Sequence, residues 1–174
     1  ALAVELGTAL GLVLLLGLAG PQTIRWPGAA TAAWPAPSLR LDGISATMGA
    51  LVAFLAWTVL RFSQRHLDGD PRAGDYYRWL GRTFAAVFLL AYAGDLLVFL
   101  GAWVATSLCL HRLLQLYPER PGAVFAARKK FVISRLGDLC LGAALLEVAR
   151  AYGTWDFAAL FAAAADGQTA ALPG

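Results

Sequence analysis

Charge is scarce in this chain: Asp, Glu, Lys and Arg make up 14% of its 174 residues, while apolar residues make up 59%. A soluble domain of this size keeps about a quarter of its residues charged, so the balance excludes an ordinary soluble globule and reads as integral membrane. Cysteine is almost missing. Cys109 and Cys140 sit inside apolar runs with neither a disulfide framework nor zinc spacing, and read as small packed hydrophobes. His66 and His111 stand far apart with no Cys or carboxylate at ligand spacing, so no metal site is expected within the chain. No nucleic-acid module is recognisable. No nucleophile stands beside a base and there is no cofactor loop, so the chain is expected to hold no cofactor and to be no enzyme by itself.

Long apolar runs are what the chain has instead. Leu2–Ala19 is of about bilayer length, interrupted by Glu5 and Thr8, with Gly7 and Gly11 at the G-x-x-x-G spacing that lets helices approach. From Gly20 to Pro37, four prolines with Trp26 and Trp34 predict an extended interfacial loop. Asp42 is placed to cap a second span, Ile44–Leu60. Arg61 to Arg82 reads as a polar loop with a turn at Asp70-Pro71, and Thr83–Ala93 as a third span. Gly94-Asp95 reads as a helix-ending glycine followed by the cap of the fourth span, Leu96–Leu116, which Pro118-Glu119-Arg120-Pro121 breaks. A fifth helix runs to about Tyr152, and Trp155–Ala165 is too short to span and reads as interfacial or amphipathic. The expected fold is an all-α membrane bundle of about five transmembrane helices plus a short C-terminal amphipathic helix. Ala1 is not an initiator methionine and stands in an apolar run, so residues 1–174 read as a single membrane domain, the N-terminal part of a longer protein.

The stretch Ala126–Asp138, AARKKFVISRLGD, sets Arg128, Lys129, Lys130 and Arg135 ahead of Asp138 at the leading edge of an apolar helix. Arg135 and Asp138, at i and i+3, share a face. A charge pair inside an apolar segment is costly unless its members satisfy each other, which makes it a functional-site candidate in a membrane. The competing reading is a basic flank that snorkels to the headgroups. Glu147, nine residues beyond Asp138, falls on nearly the opposite face, so the two carboxylates do not pair. His111, beside Arg112 at a helix end, titrates near neutral pH or is simply a solvated boundary residue.

Charge distribution supplies a topology. If the segment after the second span is cytoplasmic, the one after the fourth is too, and together they carry eleven of the fourteen Lys and Arg. Only Arg25, Arg40 and Arg150 fall on the other side, the split the positive-inside rule predicts when segments 61–82 and 111–130, with Arg135 just beyond, are cytoplasmic.

The order LDGISA (41–46), AGDLLVFLGAW (93–103), SLCLHRLL (107–114) and AARKKFVISRLGD (126–138) resembles the N-terminal part of the antiporter-like proton-translocating subunits. These are the chain 5 type of respiratory complex I, the Mrp-type cation/proton antiporter subunits and the DabB-type membrane subunits of inorganic-carbon pumps. The complex I members carry a glutamate where this chain has Val104, and AWVATSLCLHRLLQLYPERP is more similar to the carbon-pump members. The resemblance implies a bacterial inner-membrane subunit that moves ions, above all protons, in a complex that accumulates carbon dioxide as bicarbonate. Its implied partner is a large zinc-dependent subunit resembling a β-carbonic anhydrase, which would hold the metal. Arg135 and Asp138 carry over as the ion pair beside the ion path and Lys129 as the matching cation, with Lys130 extending the pair and His111 as a further candidate. The alternatives are a proton-translocating subunit of an NADH-quinone oxidoreductase or Mrp-type antiporter, and a structural membrane anchor for a soluble partner.

Overall fold

A computed structural model describes residues 22–25, 37–117, 119 and 121–166. The first expected span, with Glu5, Gly7 and Gly11, and both Trp26 and Trp34 lie outside the described residues. Strands β1 (Gln22–Arg25) and β2 (Ser38–Leu41) precede five helices: α1 (Gly43–His66), α2 (Ala73–Ala91), α3 (Leu96–Leu114), α4 (Pro121–Tyr152) and α5 (Phe157–Ala165).

Three of the helices start where an aspartate side chain accepts from free N–H groups. Asp42 and Ser45 form a reciprocal box on α1: Ser45 N donates to Asp42 Oδ1 and Asp42 N to Ser45 Oγ, both at 2.8 Å. Asp95 accepts from Val98 N at 2.7 Å to cap α3, and Asp156 accepts from Ala158 N at 2.8 Å to cap α5. Helix α4 opens on Pro121, whose missing N–H is no loss at a first position.

The four long helices pack in sequence order, each on the one before it. Among the described residues the buried set is mostly small: Ala46, Ala86, Ala102, Ala127, Ala149, Ser45 and Ser63, with Leu80 and Leu96 as its large apolar members. Packing of small side chains at close backbone approach is how helices associate where lipid offers no hydrophobic drive. Large apolar side chains point outward instead, among them Ile44, Phe54 and Phe62 of α1 and Phe125, Val132 and Leu139 of α4. Helices α1 and α3 are each long and apolar enough to cross a bilayer.

Three expectations need correction. The chain is mostly helical but not all-α, because β1 and β2 form an antiparallel ribbon that pairs Gln22 with Leu41 and Arg25 with Ser38. Its strands are short and flanked by prolines, which masked the β-branched Thr23-Ile24 pair. The polar loop expected over 61–82 is only 67–72, because α1 runs on to His66 and α2 begins at Ala73. Arg, Gln, Tyr and Trp are adequate helix formers, and only Asp70-Pro71 breaks the helix. The basic segment 121–130 is likewise helical, leaving the connection between α3 and α4 at 115–120. Helix α5, FAALFAAAA, is apolar on every face rather than amphipathic.

At the end of the bundle where α3 begins, three irregular segments share backbone hydrogen bonds. Arg40 N donates to Tyr92 O at 2.9 Å, Gly94 N to Ser38 O at 2.9 Å, Leu96 N to Trp155 O at 2.9 Å and Phe157 N to Gly94 O at 3.0 Å. Asp95, 2% exposed, accepts from Ser38 N at 2.7 Å while capping α3. Gly94 does not end α2 in a left-handed turn, since Gly69 and Gly153 are the positive-φ residues among those described. It is glycine because a Cβ there would stand 2.9 Å from the Ser38 carbonyl carbon and oxygen.

Gly94→Ala is therefore expected to destabilise the purified protein by about 1–3 kcal/mol, the cost of overpacking a tight contact. Gly81→Ala, in the interior of α2 with open space around it, is expected to stabilise by up to about 1 kcal/mol. Thermal unfolding of the two variants in the same detergent measures both.

Candidate functional site

The facing sides of α3 and α4 line an open-sided cavity of about 450 Å³, to which α2 adds Leu90. Its α4 wall is Lys130, Ser134 and Asp138 at i, i+4 and i+8, a spacing that stacks them on one face, with Leu141 beyond. Its α3 wall presents Trp103, Thr106 and Ser107. The remaining lining is apolar, so few polar groups set its chemistry.

Asp138 is held by two partners. Arg135 Nη2 lies 2.6 Å from Oδ2, a charge contact in which no N–H is aligned on the oxygen. Trp103 Nε1 donates to Oδ1 at 3.1 Å from the opposite helix. The Asp138 side chain is 10% exposed and that of Arg135 29%, so the pair is largely withdrawn from solvent. The Arg135 guanidinium also lies over the Phe131 ring at 5.2 Å, and Phe131 contacts the His111 ring with centroids 4.6 Å apart. His111 is thereby joined to the cluster through an aromatic ring, and its Nδ1 is buried with no hydrogen-bond partner among the described residues.

Lys130 reaches across from α4 to α3, where Nζ donates to the carbonyl oxygen and the hydroxyl of Ser107 at 3.2 and 3.3 Å. Lys129 is exposed on another face and does not line the cavity. The structure thus brings together Arg135, Asp138 and Lys130, with His111 at the margin, and leaves Lys129 apart. Glu147 pairs with Arg150 at 3.0 Å, away from Asp138. Sequence reasoning missed Trp103, Ser107 and Ser134. The i, i+4, i+8 spacing of Lys130, Ser134 and Asp138 was a usable signal for Ser134, whereas Trp103 and Ser107 sit on an apolar helix whose rotation only packing fixes. Cys109 is half-buried and Cys140 exposed, both free thiols. Among the described residues no three His, Cys, Asp or Glu side chains converge as metal ligands. Within the cavity the groups that can take up or release a proton are Asp138 and Lys130.

A second charged cluster ties the 67–72 and 115–120 connections together at the other end of the helices. Arg72 forms a two-pronged pair with Glu119, Nη1 donating to Oε2 at 2.8 Å and Nη2 contacting Oε1, and also donates to Leu116 O at 3.2 Å. Tyr117 OH donates to Asp70 Oδ2 at 2.5 Å, and Asp70 Oδ1 accepts from Arg72 N at 2.8 Å. The hydrogen bonds from Arg72 hold the Glu119 carboxyl at about 2, against an ordinary 4.5. Tyr117 first and the Arg72 amide second lower that of Asp70.

A depressed folded-state value contributes stability that is complete above the unfolded value and lost as pH falls through the folded one. The Glu119 contribution is accordingly expected to fade between about pH 4.5 and pH 2. Glu119→Gln is expected to flatten the dependence of the unfolding temperature on pH in that window and to leave it unchanged between pH 6 and 8, as read by thermal unfolding across a pH series.

No family model matches the chain. Over 125 residues, 72% of this chain and 23% of the relative, it is 35% identical to the probable inorganic carbon transporter subunit DabB2 of Halothiobacillus neapolitanus. Over 113 residues, 64% of this chain and 22% of the relative, it is 39% identical to the probable inorganic carbon transporter subunit DabB of Hydrogenovibrio crunogenus. It is 28% identical to the NADH-quinone oxidoreductase subunit L of Escherichia coli over 120 residues, 69% of this chain and 20% of that subunit. The chain spans between a fifth and a quarter of the length of these relatives. By these likenesses it belongs to the DabB-type subunits, within the wider group that includes subunit L and chain 5 of the NADH-quinone oxidoreductases.

Proposed function

We propose that this chain forms part of a membrane subunit that translocates ions, with the proton as the coupling ion, in a complex that accumulates inorganic carbon. The observation that carries the reading is the Arg135–Asp138 pair, whose carboxylate lines an apolar cavity between two helices, accepts there from Trp103 of the opposite helix and shares its wall with Lys130. A topology-setting charge does not need a partner on the neighbouring helix. A carboxylate that must stay ionised, or change protonation on demand, inside a bundle does. Asp138 and Lys130 on one wall supply proton-exchanging groups of opposite charge type, the raw material of a relay.

In this reading α2 and α4 cross the bilayer beside α1 and α3, and the first apolar run adds a fifth span. The connections 67–72 and 115–120 lie in the cytoplasm of a bacterium and the ribbon on the far side of the inner membrane. The Arg72–Glu119 contact, which puts both connections at one end of the helices, supports that topology, as does the basic excess in the flanking residues. The partner is a large zinc-dependent subunit of carbonic-anhydrase type that captures carbon dioxide, with its metal outside this chain.

The likeness to subunit L favours the alternative of a proton-translocating subunit of an NADH-quinone oxidoreductase. The higher identity to the DabB-type relatives favours the first reading, and so does Val104, an apolar residue where the complex I resemblance expects a glutamate. Asp138→Asn in the full-length parent protein discriminates translocation from anchoring. Inorganic-carbon uptake by cells that depend on the complex is expected to fall at least tenfold while the amount of assembled complex in the membrane stays the same. Unchanged uptake would leave only the anchor reading. Mild-detergent purification that brings down iron–sulfur and quinone-reductase subunits would favour the alternative.

A further inference from the structure

The charges around the cavity do not balance. Arg135 and Asp138 neutralise each other, and both Asp138 oxygens are engaged, Oδ2 by Arg135 and Oδ1 by Trp103. Lys130 is left over: its ammonium touches the carbonyl and hydroxyl of Ser107, both neutral, and no carboxylate lies within ion-pair distance among the described residues. Lys130 stands nine residues into α4, about 14 Å along its axis from Pro121. An ammonium at that depth among apolar side chains is costly unless an opposite charge faces it.

Two hydroxyls on the cavity wall, those of Ser107 and Ser134, have a proton to give near Lys130. The Ser107 hydroxyl accepts from Lys130 and keeps its own proton to give. Ser134, one turn along the same wall, has a hydroxyl that makes no hydrogen bond within the described structure. Thr106 gives its proton to Ala102 O at 2.8 Å and contributes none. One cation flanked by two hydroxyl donors, in a cavity of about 450 Å³ that also admits hydrating water, is complementary to one small singly charged oxyanion.

We propose that this cavity binds a small monovalent oxyanion, with Lys130 as its counter-charge and Ser107 and Ser134 as hydroxyl donors. Divalent oxyanions are disfavoured, since the net charge of the Arg135, Asp138 and Lys130 set is one. The choice of bicarbonate within this class rests on the carbon-accumulation reading above; the site itself rests on the charge count.

The test uses the full-length parent protein in detergent, titrated with sodium formate, nitrate, bicarbonate or sulfate at constant ionic strength and followed by calorimetry and thermal unfolding. The monovalent oxyanions are expected to bind saturably and raise the unfolding temperature, with sulfate binding more weakly. Lys130→Gln is expected to weaken binding at least tenfold and Lys130→Arg to retain it. Ser134→Ala is expected to weaken it about twofold to tenfold, the worth of one neutral hydrogen bond. Arg128→Gln, the same charge change at an exposed position, is expected to leave it unchanged. If Lys130→Gln does not fold, the Ser134→Ala titration decides.

Absence of saturable oxyanion binding would overturn the proposal. Binding that is indifferent to Lys130 and Ser134 would overturn it equally. Formate and nitrate binding without bicarbonate binding would keep the site and remove the carbon-accumulation reading as the source of its ligand. Bicarbonate binding alongside unchanged uptake in Asp138→Asn would keep the site and overturn translocation through the pair.

Discussion

The buried carboxylate of Asp95 is the interaction on which the arrangement of the other elements depends. One side chain caps α3 through Val98 N and at the same time receives the first amide of β2 through Ser38 N. At 2% exposure its oxygens need hydrogen-bond partners, and the two backbone amides supply them. Around it the non-helical backbone of three segments is satisfied by cross-segment hydrogen bonds, as buried peptide groups require. The α2–α3 connection, the ribbon and the start of α5 are thereby fixed relative to one another. That in turn sets the rotation of α3, and so which of its faces meets α4.

With α3 fixed, the cavity follows from side-chain size. Ala102 of α3 and Ala127 of α4 are almost fully buried, while Trp103 and Lys130 each reach from one helix to the other and line the cavity between them. A buried ion pair is weak evidence for stability, because desolvation of each ion costs several kcal/mol and is repaid only by good geometry. The Arg135–Asp138 contact, in which no N–H is aligned on Oδ2, is therefore a weak source of stability for the bundle. Trp103 couples the two walls, since its indole N–H is satisfied by a carboxylate on another helix.

Much of this was legible from residue order. Helix caps at Asp42 and Asp95 followed from short polar side chains ahead of apolar runs, and the contact of Arg135 with Asp138 followed from i, i+3 spacing. Ends of elements were less legible. Arg61 to Arg82 looks like a loop because it is charged, yet charge is neutral toward helix formation and only Asp70-Pro71 stops it. The ribbon was hidden because its partner strands are separated by a proline-rich segment, so neither half shows a hairpin signal. The distinction between Lys129 and Lys130 was out of reach, since adjacent helical residues differ by about 100° in direction and only packing says which one faces α3.

Helix α4 shows how one element serves two environments. Lys130, Ser134 and Asp138 form its polar stripe toward α3, while Val132, Ile133, Leu136 and Leu139, each more than 60% exposed, face away from the other described helices. In water four such side chains in three turns would be an aggregation liability. In hydrocarbon, or against further helices of a longer subunit, they are the solvated face, and the polar stripe is the one that must be enclosed. The amphipathicity of α4 is thus inverted relative to a soluble helix. The charges enclosed against α3 are Lys130 and Asp138, while Arg128, Lys129 and the Glu147–Arg150 pair stay exposed near the helix ends.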